Sequence, residues 1–327
     1  MGYKTTDGLM RHLRENGIHI HGSTQKRQLR NTGYFHGYKG YRFFKKSCHR
    51  IPFTTYEEVY ATIKYDSQLK SLFYEKIMFI ETAVKSIALE SIMAQSNSES
   101  IQDMYKNVVS GYNNAPIDAT PKMKRALQEK KLRLESMIQS YLSHAYKEDN
   151  PRITHFYNNM SYSGVPLWAL FEIMTLGDFG FLLSCLNFDT RNAISAALDM
   201  NIGAIDTNRE LIYKYIYTIK DLRNAIAHNS VIFDTRFRKI DPTPAMKRCL
   251  EQEFNLPYVN FKTLGDYLIL ICYYLKLLKV PKKEIKSFIR DFEHITTNYI
   301  KAVNSDVSSM VIHPDLESKL QLLKNAL

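Results

Sequence analysis

Residues 211–228 read LIYKYIYTIKDLRNAIAH, with an apolar residue at almost every third or fourth position. This spacing is typical of an amphipathic helix that buries one face in a hydrophobic core. The apolar stripe consists of Ile212, Tyr215, Ile216, Ile219, Leu222 and Ile226. We therefore expect a helix over these residues that packs against other helices.

The chain on either side of this segment has the same helical character. Apolar periodicity and terminal Gly or Pro residues predict helices over residues 6–16, 56–93, 121–146, 167–186, 264–278 and 281–303, with an interruption at Gly177 and Gly180. Proline and polar residues predict loops at 95–121 and 242–257. No internal repeat or strand-rich region is evident. The sequence therefore predicts an all-α helical bundle.

The bundle is expected to have three parts. Residues 1–55 form a basic N-terminal segment, residues 56–235 form the helical core with a polar insertion near 95–121, and residues 236–327 add C-terminal helices that pack on the core. The longest apolar run, Tyr267 to Leu275, is far shorter than the ~20 apolar residues of a membrane-spanning helix. We therefore expect a core helix there and no membrane span.

Positive charge is concentrated in the N-terminal segment. The chain has 44 Lys and Arg residues against 33 Asp and Glu, and eleven of the basic residues but only two acidic ones lie within the first 50 positions. Such a stretch is typical of contact with a polyanion, for which RNA or DNA is the first candidate and an anionic membrane surface the second.

Aromatic residues alternate with the basic ones in this segment. A surface that binds single-stranded RNA combines charges that bind phosphates with rings that stack on unpaired bases. In the alternative interpretation the rings pack onto the helical body and the charges are simply solvated. The candidate RNA contacts are Lys26, Arg27, Arg30, Tyr34, Tyr38, Lys39, Tyr41, Arg42, Lys45 and Lys46.

The polar end of the 211–228 helix carries the residues most suited to chemistry. At about 100° per residue, Asn224 and His228 lie about 120° and 160° from Ile212, whereas Arg223 lies about 20° from it, within the apolar stripe. A buried guanidinium needs a carboxylate partner, and Glu172 and Glu81 are the candidates. Arg223 oriented by a buried acid beside a histidine is a possible catalytic arrangement; a structural ion pair with an unrelated surface histidine is the alternative.

Several motifs along the chain resemble known families. Arg223-Asn224-x-x-Ala-His228 at a helix end resembles the motif of HEPN ribonucleases. The stretch at 31–41, NTGYFHGYKGY, is similar to the Gly-Tyr-rich motif of Abi-like abortive infection proteins of the AbiD/AbiF group. Tyr65-Asp66, Ile80-Glu81 and the Trp/Glu/Gly helix from Leu167 to Gly177 follow in that family's order, so the resemblance covers roughly residues 6–235.

This resemblance implies a HEPN-type helical domain and a role in phage defence. It implies a metal-independent endoribonuclease that cleaves single-stranded RNA by attack of the 2′-hydroxyl, with Arg223, Asn224 and His228 at the site. It further implies a structured small RNA as a second RNA partner and a homodimer through the Arg223/His228 face. One departure is that Asn229 follows the histidine, where the family often has a second histidine or a basic residue.

Other functions are less well supported by the sequence. We expect no metal and no other cofactor, because His19, His21, Cys48 and His49 lack a third ligand at a usable spacing and no Gly-rich phosphate-binding motif with its lysine is present. Four scattered cysteines argue against a disulfide framework and favour a cytoplasmic protein. The alternative to an RNA-cleaving enzyme is a non-catalytic RNA-binding module on the same helical scaffold.

Overall fold

The computed structural model of the protein describes residues 4–200 and 203–327, so the first three residues of the predicted basic segment lie outside it. Within these residues the chain contains no β-strand, only isolated bridges such as His19 with Thr55. The predicted all-α fold is confirmed. A π-helix spans Tyr34–Lys39, a 3-10 helix spans Gly203–Ile205, and the α-helices are α1 (Thr6–Glu15), α2 (Gly22–Thr32), α3 (Tyr56–Ser96), α4 (Ile101–Asn107), α5 (Pro121–Lys147), α6 (Pro151–Asn158), α7 (Leu167–Ile173), α8 (Leu176–Cys185), α9 (Phe188–Ala197), α10 (Leu211–Ala227), α11 (Pro244–Phe254), α12 (Leu264–Leu277), α13 (Lys282–Ala302), α14 (Ser305–Val311) and α15 (Leu316–Ala326).

The strongly periodic segments form helices close to their predicted bounds. Helices α1, α3, α5, α10, α12 and α13 correspond to predicted helices and differ from them by a few residues at each end. The start of α5 shows why its beginning was predictable. Pro121 occupies the first turn, where its missing N–H has no partner to lose, and the Thr120 side chain accepts the N–H of Met123.

Two predicted loops contain helices. The polar stretch at 95–121 includes α4, whose N-terminus is capped by Ser100 and which buries Ile101, Met104 and Tyr105. The proline-rich stretch at 242–257 includes α11, which begins at Pro244. The prediction of loops is wrong at these helices because Ser and Pro, taken as breakers, act as helix starters when an apolar face follows.

The helix predicted over 167–186 is interrupted, but not at its glycines. Helix α7 ends at Ile173 and α8 begins at Leu176, with Thr175 capping α8 by accepting the N–H of Asp178. Gly177 and Gly180 lie inside α8. A Cβ at Gly180 would lie 3.2 Å from Ile216 and 3.1 Å from Tyr217 of α10, so this glycine allows a close approach of two helices rather than a break.

The described residues form two compact units. Unit 1 comprises the chain up to Ile77 together with Asp221–Thr243 and Leu250–Leu327, and unit 2 comprises Met78–Lys220 together with Pro244–Cys249. By sequence, α3, α10 and α11 contribute residues to both units.

The core of unit 1 is built around α12, as expected for its apolar run. Every residue from Tyr267 to Leu275 is buried, and α12 packs against α13 and α15. Rings of α3 add to this core: Phe73 meets Phe292 edge to face at 6.1 Å and Tyr65 stacks on Tyr299 at 4.3 Å. Such aromatic pairs stabilise a core by about 0.5–1.5 kcal/mol beyond the burial of their surface.

Unit 2 is a helical layer centred on α5. This helix packs against α6, α7 and α8 and buries Leu134, Ile138 and Leu142. Apolar residues at intervals of four are the pattern of one buried face, so the charged residues of α5 are left on the outer side.

No helix in the described part of the chain has the length and apolar character needed to cross a bilayer.

Candidate functional site

Helix α10 ends in a defined cap that presents His228. Asn229 adopts φ +51° just beyond the helix, its N–H donates to the carbonyl of Ile226 at 3.0 Å, and the N–H of Ser230 donates to the carbonyl of Ala225 at 2.8 Å. This pair of bonds is a Schellman motif, in which Asn is one of the few residues that tolerate the left-handed position. His228 is exposed at the helix end, as the helical period predicts.

His228 and Asn224 face the same cleft. The cleft has a volume of about 360 Å³, and all of its residues belong to unit 1. Its lining includes two basic side chains that were not predicted from the sequence, Arg236 and Lys239. The complete lining is Asp221, Asn224, Ala225, His228, Ser230, Val231, Arg236, Phe237 and Lys239.

Arg223 is half-buried and does not line the cleft. One of its guanidinium nitrogens, Nη1, donates to Oδ1 of Asn224 at 3.4 Å, a long hydrogen bond. Arg223 therefore orients an amide that faces the cleft.

The two candidate acids for Arg223 lie in unit 2 and differ in burial. Glu172 is not the buried acid that the sequence predicted: its side chain is 58% exposed, and Arg152 Nη1 lies 3.3 Å from its Oε2. The apolar neighbours of Glu172 line one face of α7, and the glutamate lies on the other. Glu81 is buried, and Lys85 Nζ lies 3.1 Å from its Oε1. A pairing of Glu81 with Arg223 stays a prediction.

Arg236 is held firmly at the edge of the cleft. Its Nε donates to Oδ1 and its Nη2 to Oδ2 of the buried Asp234 carboxylate, at 3.0 and 2.7 Å, which is a bidentate pair. Nη1 and Nη2 also donate to the carbonyls of Gly40 and Phe43 at 2.8 and 2.5 Å. Most of the donors of Arg236 are thus used inside the protein. Lys239, by contrast, is exposed and has no hydrogen-bond or ion-pair partner among the described residues.

A buried carboxylate, Asp66 of α3, anchors the chain that follows His228. Oδ1 of Asp66 accepts the N–H groups of Ile232 and Phe233, each at 2.8 Å. Oδ2 accepts the hydroxyl of Tyr41 at 2.8 Å and lies 2.7 Å from Lys70 Nζ. Burial raises the pKa of Tyr41 and the Asp66 carboxylate raises it further, so this hydroxyl stays protonated and donates.

The Asp66 network continues to Asn229. Lys70 Nζ donates to Oδ1 of Asn229 at 2.9 Å, and Nδ2 of the same amide lies 3.0 Å from Nε2 of His36 in the π-helix. The residue directly after His228 is therefore tied both to α3 and to the N-terminal segment. Six residues of this region were not predicted as site residues: Asp66, Lys70, His36, Asn229, Arg236 and Lys239. The sequence does carry a sign of the buried ion pair, because Asp66 and Lys70 share the face of α3 that also carries Leu69 and Phe73.

The tyrosines of the N-terminal segment are not available for stacking on bases. Tyr34, Tyr38 and Tyr41 are 8%, 2% and 2% exposed, and Tyr41 also stacks on Phe233 at 6.1 Å between ring centroids. The prediction that these three rings contact RNA is wrong, because they belong to the core of unit 1. Among the Phe and Tyr residues of the segment that the structure describes, Phe35 alone is largely exposed, at 73%.

The basic side chains of the segment are mostly at the surface. Arg42 is half-buried, with its guanidinium 4.3 Å from the ring centroid of Phe43, and Lys26 pairs with Asp7 at 2.7 Å. Lys45 reaches the carbonyl of Lys262 at 2.7 Å. The exposed basic residues among the predicted RNA contacts are Lys26, Arg27, Arg30, Lys39, Lys45 and Lys46.

Among the residues that the structure describes, no group of three or more His, Cys, Asp or Glu side chains is arranged to hold a metal ion.

Comparison with known proteins places the chain in a family. No curated protein and no solved structure gives a significant match. A family described as Abi-like protein matches residues 27–234, which is more than half of the chain and includes α10, Asp66 and the Gly-Tyr-rich stretch at 31–41. The chain therefore belongs to the Abi-like protein family.

Proposed function

We propose that this protein acts in abortive infection, the phage defence indicated by its family, as a metal-independent endoribonuclease. The observation that carries the proposal is the cleft in which the exposed His228 lies beside Asn224 and Lys239. Such a cleft offers a group that exchanges protons near neutral pH, an amide and a cation, which together suit a phosphodiester.

The proposed reaction is attack of a ribose 2′-hydroxyl on the adjacent phosphorus of single-stranded RNA. His228 transfers a proton, Asn224 donates a hydrogen bond to the phosphate, and Lys239 stabilises the charge that develops on the phosphate oxygens. Arg223 acts on Asn224, to which it donates. The reaction needs a base and an acid, and one chain contains one such histidine motif. The second proton-transfer group therefore has to come from a second copy of the chain or from elsewhere in the same chain.

Analysis of the RNA products tests this function. Purified protein is incubated with labelled single-stranded RNA in the presence of a metal chelator. We expect fragments with 2′,3′-cyclic phosphate and 5′-hydroxyl ends, because the 2′-oxygen is the nucleophile. Binding of RNA without cleavage, in both the purified protein and a preparation stripped of bound RNA, would instead support the non-catalytic RNA-binding module.

The basic N-terminal segment is the proposed RNA-binding surface, and it acts through phosphates. Its exposed cations remain available, whereas its buried tyrosines do not reach a base. A structured small RNA, which the family resemblance implies as a partner, presents mainly phosphates and would suit such a surface.

Salt dependence gives the first prediction. Replacing Arg27, Arg30, Lys39 and Lys46 by Gln is expected to weaken RNA binding. The slope of log K against log salt should decrease in magnitude by up to about 3, since each neutralised phosphate of a single strand contributes about 0.7 to that slope. These side chains are exposed and form no ion pair among the described residues, so folding should be unaffected.

The control removes the same number of charges from α13, by replacing Lys282, Lys283, Lys286 and Lys301 with Gln. Affinity as a function of salt is measured by fluorescence anisotropy for both variants. A flatter slope in the α13 variant, with an unchanged slope in the N-terminal one, would place the RNA on α13 instead.

A further inference from the structure

A second histidine lies next to the His228 motif in the same chain. His36 is exposed in the π-helix Tyr34–Lys39, and its Nε2 lies 3.0 Å from Nδ2 of Asn229. Asn229 directly follows His228 and holds the left-handed position of the α10 cap. Asn229 therefore contacts one histidine through its side chain and follows the other in the sequence.

The network around Asn229 determines which of its amide atoms faces His36. Lys70 Nζ lies 2.9 Å from Oδ1 of Asn229, and an ammonium group can only donate. The Asn229 oxygen is thereby assigned to the lysine side, and its NH2 group faces His36. Since that NH2 group donates, Nε2 of His36 is assigned as the acceptor of this hydrogen bond.

This arrangement is fixed by buried groups. Lys70 is buried and pairs with the fully buried Asp66 at 2.7 Å. A flipped Asn229 amide would set its NH2 group against the Lys70 ammonium and face its oxygen toward His36. Nε2 of His36 thus lies in an acceptor position that faces a donor, which is the geometry that a general base needs.

We propose that His36 is the general base of the RNA-cleaving site and that His228 of the same chain is the general acid. This inference rests on the proposed function. In the free protein the side-chain Nδ2–H of Asn229 occupies the donor position at Nε2 that the ribose 2′-hydroxyl takes in the complex. The 2′-hydroxyl gives its proton to Nε2, the bond from the 2′-oxygen to phosphorus forms, and the bond from phosphorus to the 5′-oxygen breaks.

The 5′-oxygen then takes a proton from the His228 imidazolium, which leaves a 2′,3′-cyclic phosphate and a 5′-hydroxyl end. Protons and electron pairs balance without a metal or a further reactant. A site with both groups in one chain is complete as a monomer, so a second copy is not needed for chemistry.

Charged groups on the neighbouring elements surround His36. Lys70 and Asp66 of α3 reach it through Asn229, Arg30 lies near the end of α2, which packs against the π-helix, and Lys39 lies on the π-helix itself. His228 directly precedes Asn229, just after the end of α10. A pH profile is therefore compared only between variants that leave these groups unchanged.

His36→Gln separates proton transfer from positioning. Glutamine offers an amide oxygen that can still accept from Asn229 but cannot take up a proton. We expect kcat to fall by about 10²–10⁴-fold, the acidic limb of the pH profile of kcat/KM to flatten, and the thermal midpoint to stay unchanged. His49→Gln, which alters another exposed histidine of the N-terminal segment, should leave both rate and profile unchanged.

Three results would overturn the assignment of His36. Wild-type activity and an unchanged profile in His36→Gln, with activity lost in His228→Ala, would leave the proposed function intact and place the second group in another copy. Full activity in His36→Gln with loss in His36→Ala would make His36 a positioning residue only. A wild-type rate that rises with the square of protein concentration at nanomolar levels would indicate a site shared in a dimer. Cleavage that survives both His36→Gln and His228→Ala would instead refute the proposed function.

Discussion

Replacing His228 by alanine is expected to reduce RNA cleavage by at least about 10²–10⁴-fold, the contribution typical of a proton-transfer group, while the free energy of unfolding changes by less than about 1 kcal/mol. The imidazole is exposed at the end of α10 and has no hydrogen-bond partner among the described residues. Exposed substitutions of this kind alter the free energy of unfolding by about 0.5 kcal/mol.

The measurement pairs a cleavage assay with urea unfolding of the same preparations. His294→Ala is the matched control, because His294 is also an exposed histidine on a helix of unit 1 but lies on α13. RNA affinity of the His228 variant should stay close to that of the wild type if binding runs through the N-terminal segment. Cleavage that persists at the wild-type rate would exclude His228 from the reaction.

The position of His228 was predictable because it depends only on the period of one helix. Six apolar residues fix the buried face of α10, and Asn224 and His228 lie away from that face. The Schellman cap is also local, since it needs only Asn229 and the carbonyls of the preceding turn. The cleft itself was not predictable, because Arg236 and Lys239 come from a loop whose path is set by Asp66 of α3.

The buried tyrosines show how a single composition supports two interpretations. Rings interleaved with lysines and arginines suggest a stacking surface, but Tyr34, Tyr38 and Tyr41 are spaced by four and three residues. That spacing is a helical stripe and indicates burial on one face. Their partners, Asp66 and Phe233, lie in distant parts of the sequence, so only the spacing could have revealed their position.

The prediction that Glu172 is buried was wrong for a related reason. A single charge in an apolar segment is compatible with a buried ion pair, yet α7 is only seven residues long and has one face exposed. Short helices at the surface of a layer accommodate one charged residue on that face without cost. Unit 1 also combines three separate stretches of the chain, and local sequence patterns do not predict which distant stretches pack together.

Removal of the Asp66 carboxylate is expected to cause the largest loss of stability. Asp66→Ala leaves the buried Lys70 ammonium, the Tyr41 hydroxyl and the N–H groups of Ile232 and Phe233 without their acceptor. Removing one partner of a buried ion pair costs about 3–5 kcal/mol. Urea unfolding should show this decrease, and cleavage should fall as well, because the segment after His228 loses its anchor to α3.

A second substitution distinguishes the ion pair from the rest of the network. In the double variant Asp66→Ala with Lys70→Met, the uncompensated charge is removed, so part of the stability should return. The return should be incomplete, because two buried N–H groups still lack an acceptor and each costs about 1–3 kcal/mol. Cleavage should not return with stability, since Asn229 has then lost the Lys70 donor that orients its amide toward His36. Full recovery of stability in the double variant would mean that the N–H groups of Ile232 and Phe233 find other acceptors, and that the charge of Lys70 was the main cost.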